Sequence, residues 1–557
     1  MKKFLSLLFA VLFLKNVSYS QTIPVGDNYL EDMARRDQII GKNENPLSFS
    51  IRPININWNN KIDTTLQSLA LGTSGSTETK LFDIPIIVHP LPVRWLNEYN
   101  TNKPFGYNNS NLYPNVGYQG AISGGVFIQA KALIVQLNPE FVYAQNKYFP
   151  TFADVQGNNN SPRLLAAYFN IANGIDAPER FGNNSLQHLY PGQSKISVHV
   201  FNMELGLSTE NMWWGPGVQN SIIMSNSAPG FLHWTFNSFI PIKTAIGSFE
   251  WELIGGNLKQ SGYPPLDTNK LVYGKNLYIA KPVVTRYVSA LTVNWQPKWI
   301  EGLYLGFSAY DYMNKDSVYS EKSILRKIIP VITGSSKKAN TVTNGNGYGD
   351  DQDFAFALNV RQVFPKYNSE IYFEWARNDR AAGLNDLLQE PEHSTAYTLG
   401  GARVFQIMNE QFIQVRIELT HLQNPPTYLL RDEPNWYVHL VSPRDGYTNN
   451  GRYVGAGIGP GSNSFTFDIS YLKNNNSFGI DFERLVHNND LYYMAFAGTG
   501  NFSNHWVDLS GRFYTNYKIK RYVISATLAP VYSINYEYKS GNSINLHSNI
   551  NLTYYFN

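Results

Sequence analysis

The sequence predicts an all-β chain: a transmembrane antiparallel β-barrel preceded by a small, partly helical N-terminal region. Three observations lead there. The first twenty residues read as an export signal, the body of the chain alternates apolar and polar residues, and short turns alternate with long polar connections.

The export signal comes first in the chain. Lys2 and Lys3 supply a positive start, Phe4 to Leu14 form a short apolar run that Lys15 ends, and Ser18-Tyr19-Ser20 offers small residues before Gln21. That three-part arrangement marks a secretory signal, and its apolar run is too short to span a bilayer as a helix. Residues 1–20 are therefore expected to be removed, leaving a mature chain from Gln21. Cysteine is absent, which excludes a lipid-modified cysteine and any disulfide.

Composition narrows the architecture. Of 557 residues, 37 are tyrosine and 32 phenylalanine, and charged residues make up only 16%, against about 25% in an ordinary globular chain. Beyond the signal no apolar run reaches the roughly 18 residues of a membrane helix. Two architectures remain: a large secreted β-protein such as a sandwich array or propeller, or an outer-membrane barrel. The net charge of +3 gives no case for a nucleic-acid partner.

The C-terminal strand separates the two. Ile544, Leu546, Ile550, Leu552, Tyr554 and Phe556 share one parity, interrupted only by Ser548, and Asn545, His547, Asn549, Asn551, Thr553 and Tyr555 the other. Such a period of two puts a strand between two media. Periodicity alone fits either a soluble core or lipid, but a final strand that runs to within one residue of the C-terminus, with Phe556 near its end, resembles the signal read by barrel-assembly machinery. The pattern recurs at Leu133 to Tyr143, where Pro139 suggests a turn, and at Ile196 to Val200. Tyr287 to Trp295 and Leu303 to Ala309 read as a hairpin. Phe354 to Leu358, Glu370 to Trp375, Phe412 to Leu419, Phe465 to Tyr471, Val507 to Phe513 and Tyr522 to Leu528 continue it. Roughly a dozen strands are legible this way. The longest connections, 146–194 and 313–352, suit the long outer loops of a bacterial barrel. Residues 21–80 are expected to form a periplasmic region with a short helix over Asp27 to Ile40 and a linker at Gly72 to Thr79. The barrel is expected over 81–557.

Several ordered blocks carry a family resemblance. Glu210-Asn-Met-Trp-Trp-Gly-Pro-Gly217 is followed by Asn220 to Gly230, Glu370 to Asp379, Pro391 to Gly400, Gly446 to Gly461 and Phe482-Glu-Arg484. Together these resemble the Wzi-type capsule assembly family, and Ser48 to Pro53 and Ile175 to Gly182 look like its branch in Bacteroidetes. Asn449-Asn450 departs from the pattern, since a basic residue is common there. The resemblance implies an outer-membrane barrel of about 18 strands that attaches or organises capsular or other extracellular polysaccharide. A porin for small solutes or oligosaccharides is the alternative. Expected partners are the polysaccharide, outer-membrane lipid and, during biogenesis, the barrel-assembly machinery.

Candidate site residues follow. Trp213 and Trp214 offer indole faces on which sugar rings pack, with Asn211 and Asn220 as hydrogen-bonding neighbours. The competing reading is structural, because adjacent strand residues point to opposite faces. Glu374, Arg377 and Asp379 are too costly to face lipid; they read as a lumenal charge network with Arg403, Arg416, Glu418, Arg452, Glu483 and Arg484. A glycosidase acid pair is the weaker reading of the same carboxylates. Gly455 to Gly461 lacks the lysine and helix of a phosphate loop and reads as a close backbone approach. The ten histidines are scattered without metal-ligand spacing, so neither a metal, a cofactor nor a catalytic residue is expected.

Overall fold

A computed structural model describes residues 20–42, 47–57, 77–81, 84–157, 161–333, 352–378, 384–425, 435–440, 444–496, 500 and 503–556. The expected signal peptide and most of the expected linker lie outside these residues. Among the described residues, eighteen antiparallel strands form one closed barrel. The first wall strand, Ile84–Asn100, pairs with the last, Asn542–Tyr554, from Val93 opposite Tyr554 to Asn100 opposite His547. Closure leaves no exposed sheet edge, the condition for strands to cross a bilayer.

The alternation read from the C-terminal strand is the alternation seen. Ile544, Leu546 and Ile550 are exposed on the outside, whereas Asn545, His547 and Thr553 are buried on the inside. The same split holds in Asn463–Lys473, where Phe465, Phe467 and Ile469 face out and Ser464, Thr466 and Asp468 face in. Phe467 sits at mid-strand, so Phe467→Lys is expected to cost roughly 2–4 kcal/mol of barrel stability in a bilayer. Denaturant titration in lipid vesicles measures it.

One end of the barrel is closed by tight turns, including those at 131–132, 201–202, 409–410, 474–475 and 520–521. The other end carries the long connections, which include 145–185, 209–232, 422–462 and 487–506. The expected loop 146–194 is shorter and more structured than its composition suggests. It holds the helices Phe152–Gln156 and Pro162–Ala172, and the wall resumes at Leu186–Tyr190. The turn expected at Pro139 is instead an interruption within one strand. Leu133–Leu137 and Glu140–Ala144 both pair with Gly117–Ala130. Proline has no N–H for the ladder, and the displaced chain presses Leu137 O onto Gly125, where a Cβ would come within 1.7 Å of it.

The interior is packed. In the loop half, the inward positions are small and apolar: Ala290, Ala355, Ala357, Ala376 and Ala396 are fully buried. Against them pack loop side chains, among them Trp214, Ile222, Ile223, Trp436, Tyr437, Tyr447 and Tyr492. In the turn half sits the N-terminal segment. Ser20–Ile23 pairs with Ile54–Asn57, and between them runs the helix Asn28–Ile39, close to the helix expected from the sequence. Asp27 caps this helix by accepting from Leu30 N–H at 3.2 Å. Tyr29, Leu30 and Met33 pack with Phe49, Val523 and Tyr555, while Ile39 meets Ala402, Val404, Phe412 and Leu472 on the wall.

Candidate functional site

The block around the paired tryptophans is a loop folded down into the lumen. Trp213–Trp214 forms a two-residue ladder with Ile51–Arg52 of the N-terminal segment. Gly215 N–H donates to Ser50 O at 2.9 Å. Arg52 donates to Gly217 O at 2.7 Å and to Gly215 O at 3.2 Å, and it lies 4.6 Å over the Trp213 ring. Trp214 is wholly buried and its Nε1–H donates to Glu252 at 2.9 Å. Neither indole presents a face to solvent, since Trp213 is 4% exposed and Trp214 0%. The sugar platform that these rings suggest in the sequence is not what they form here.

Asn211 and Asn220 are pins of the same loop. Asn211 donates to Ala228 O at 2.8 Å and accepts from Gln193 Nε2 at 2.9 Å. Asn220 donates to Ser464 at 3.3 Å. Beneath the loop, the Glu418 carboxylate accepts from three consecutive backbone N–H groups: Val218 at 2.6 Å, Gln219 at 3.0 Å and Asn220 at 2.8 Å. The Tyr372 hydroxyl adds a fourth bond at 2.8 Å. Above it, Tyr437 ties the loop to the glycine-rich stretch by donating to Ile222 O and accepting from Ala456 N–H, both at 2.8 Å. Gly455 is the close backbone approach expected there: a Cβ would meet Ile222 O at 2.4 Å.

A lumenal charge network exists, but its centre lies on residues the sequence reading did not single out. Glu370 receives Arg35 of the helix at 2.8 Å and Arg361 of the wall at 2.8 and 2.6 Å. Arg361 also reaches Gln38 at 2.7 Å, and Arg35 reaches Pro216 O at 2.8 Å. Asp27 pairs with Arg94, Glu31 with Arg52 at 3.1 Å, and Asp32 with Arg416 at 2.9 Å. The signal was present in the helix, where Asp27, Glu31 and Arg35 recur every four residues, but their partners lie 67, 21 and 335 positions away.

Of the expected members, Glu374, Arg377, Arg416, Glu418 and Glu483 point inward and are buried. Glu483 accepts from Tyr107 and lies 3.9 Å from Arg512. Arg452 sits in a long loop, 5.1 Å over the Tyr113 ring, rather than on the wall. Arg403 and Arg484 correct the expectation: both are exposed on the outer face, with Arg403 over Phe405 at 4.9 Å. Each shares the parity of outward residues, Leu399 and Phe405 for one and Ile480 and Phe482 for the other. Long aliphatic stems let such arginines lie along an apolar belt with the charge at its edge. Asp379 lies outside the described residues.

Two spaces frame this machinery. Inside, a cavity of about 390 Å³ lies between helix, loops and wall, lined by Asp32, Arg94, Gln219, Asp481, Arg512 and Asn549 among others. At the loop end, an open cleft of about 520 Å³ is lined by Lys103, Tyr148, Tyr536, Lys539 and Ser543. Tyr148 is 65% exposed there. Lys103 lies 4.0 Å over the Tyr536 ring and bonds Ser543, while Lys539 bonds Val155 O at 2.9 Å. The cleft thus offers aromatic faces beside ammonium groups and hydroxyls.

One outer loop buries a carboxyl group. Asp490 accepts from Asn424 N–H at 3.0 Å and Asn435 Nδ2 at 2.9 Å, and burial pushes its carboxyl up to about 6. A raised folded-state value means stability that is full below the unfolded carboxyl value and lost as pH rises through about 6. The protection factors of residues 488–496, corrected for the intrinsic pH dependence of amide exchange, are therefore expected to be higher at pH 4 than at pH 7. Asp490→Asn is expected to flatten that dependence, a gain at pH 7 of at most about 3 kcal/mol.

Comparison with known proteins gives a consistent result. The family model described as capsule assembly protein Wzi matches residues 129–500. No curated protein sequence matches. Among solved structures, Wzi of Escherichia coli, titled an outer-membrane protein involved in group 1 capsule assembly and a carbohydrate-binding β-barrel, aligns at a TM-score of 0.58. It is 11% identical, over 95% of this chain and 98% of that one. OccAB2 of Acinetobacter baumannii aligns at 0.39 and 11% identity, over 84% of this chain and 98% of its own.

Proposed function

The chain belongs to the Wzi capsule assembly family of outer-membrane β-barrels, and from that membership we propose that it binds capsular or other extracellular polysaccharide and holds it on the cell surface. The match across 129–500 carries the reading. It favours the long-loop end as the binding face, because the long loops of a bacterial barrel face outward. The signal over residues 1–20 then serves export, and the described residues 20–42 and 47–57, expected in the periplasm from the sequence, act as a stopper inside the lumen.

Within that face, the cleft of Lys103, Tyr148, Tyr536 and Lys539 suits a polysaccharide best. A sugar packs its C–H face on an aromatic ring while its hydroxyls and acid groups take hydrogen bonds from neighbouring polar groups. Trp213 and Trp214 serve the binder indirectly by holding the loop in place. The solute-channel alternative is disfavoured by the filled interior. A purely binding role, without turnover of the glycan, is part of the proposal.

The test is direct binding of the cell's own surface polysaccharide to the purified barrel in detergent. Tyr148→Ala is expected to weaken it about tenfold, the effect of losing one aromatic contact of roughly 1–1.5 kcal/mol. Unchanged binding would move the site elsewhere on the loops, and no binding by the native chain would defeat the reading.

A further inference from the structure

Residues 315–333 follow the strand Leu303–Asn314 as three short helices, Lys315–Ser320, Ile324–Ile328 and Pro330–Thr333. They do not cover the barrel mouth. They lie against its outer wall. Tyr287 points outward, since its neighbour Val288 belongs to the internal core, and its hydroxyl donates to Ile328 O at 2.8 Å. Met313 points outward by the same parity, because Tyr312 is internal, yet it is only 2% exposed. Further down the same strand, outward Phe307 is 38% exposed. The lipid-facing belt is thus covered at its loop end, where Val318 and Pro330 are buried in helices that lie against the strands Arg286–Pro297 and Leu303–Asn314.

The far side of this segment is apolar and basic together. Ile324 is 72% exposed, Leu325 59% and Ile332 55%, and Lys322, Arg326 and Lys327 lie among them. A segment in plain water gains nothing by exposing three large aliphatic side chains. One lying in the boundary between acyl chains and anionic headgroups gains from both groups at once. Its position fixes the depth: it adjoins the lipid-facing belt of the wall at the loop end, which in a barrel of this orientation is the outer leaflet.

We propose that residues 315–333 form a lipid-docking shelf in the outer leaflet, with Ile324, Leu325 and Ile332 among acyl chains and Lys322, Arg326 and Lys327 on lipid phosphates. The shelf lies apart from the polysaccharide cleft and is independent of that reading.

The chain has no cysteine, so a single introduced thiol reports one position. Leu325→Cys and, as the aqueous reference, Ser540→Cys are labelled with an environment-sensitive fluorophore. The full mature chain is then reconstituted in phosphatidylcholine vesicles with and without diphosphorylated lipid A. The label at 325 is expected to shift to the blue and to be quenched by brominated acyl chains, while the label at 540 responds only to aqueous iodide. Lipid A retention is expected to fall on the order of tenfold or more in a Lys322→Gln, Arg326→Gln, Lys327→Gln variant. Heat-modifiable gel mobility confirms that each variant is folded. A label at 325 as open to iodide as the label at 540, or equal lipid A retention in the triple variant, would overturn the proposal.

Discussion

Replacing Glu370 with alanine is expected to unlock the N-terminal helix from the barrel wall in the turn half of the lumen, while the loop half stays filled. The carboxylate sits between two guanidinium groups, Arg35 at 2.8 Å and Arg361 at 2.6 Å, with all three side chains at most 4% exposed. Removing it leaves two like charges buried side by side. Breaking a buried pair in this way costs about 3–5 kcal/mol, because the stranded charge has lost both its partner and its water. Here the strain falls on the contact between helix and wall, so the helix is the part that yields. Arg35→Ala is expected to cost less, since Arg361 still neutralises Glu370. Amide exchange checks this: residues 28–39 are expected to exchange faster in Glu370→Ala than in the native chain. Unchanged exchange would mean that the helix is held by its apolar contacts instead.

The second large effect is expected at Glu418. Its carboxylate takes the N–H groups of Val218, Gln219 and Asn220 together with the Tyr372 hydroxyl. A buried donor left without an acceptor costs about 1–3 kcal/mol, so Glu418→Ala is expected to destabilise the inserted loop by roughly 3–5 kcal/mol. Glu418→Gln should fall between, as it keeps one acceptor oxygen and loses the charge. Exchange of peptides covering 213–224 is expected to rise while the wall strands stay protected. If the loop exchanges as slowly as before, its place is held mainly by Arg52 and Tyr437.

What the sequence made legible depends on how local the physics is. The last strand declares itself because each side chain meets one of two media, so Ile544 and Asn545 carry opposite messages within two residues. The N-terminal helix is equally local, with its apolar spacing at Leu30 and Met33. Arg403 and Arg484 were misread although the same rule covers them. Each follows the parity of its outward neighbours, and reading charge without parity sent both to the lumen.

The interior was not legible. Ala355 and Ala357 look like filler between phenylalanines, yet they make room for loop side chains from Trp214 to Tyr492. Arg35 and Glu370 lie 335 positions apart, and Val218 and Glu418 lie 200 apart. No spacing rule joins such residues until the barrel has closed. The tryptophan pair shows the same limit. Its composition suggests a ligand platform, and only the ladder with Ile51–Arg52 reveals two rings sealed inside.

The closed barrel is expected to keep polysaccharide on the cell. The direct measurement separates cell-bound from released surface polysaccharide in cells with and without the gene, at equal total synthesis. Loss of the chain is expected to move polysaccharide from the cells to the medium, and restoring it is expected to return the polysaccharide to the surface. An unchanged bound fraction in cells lacking the chain would contradict the account.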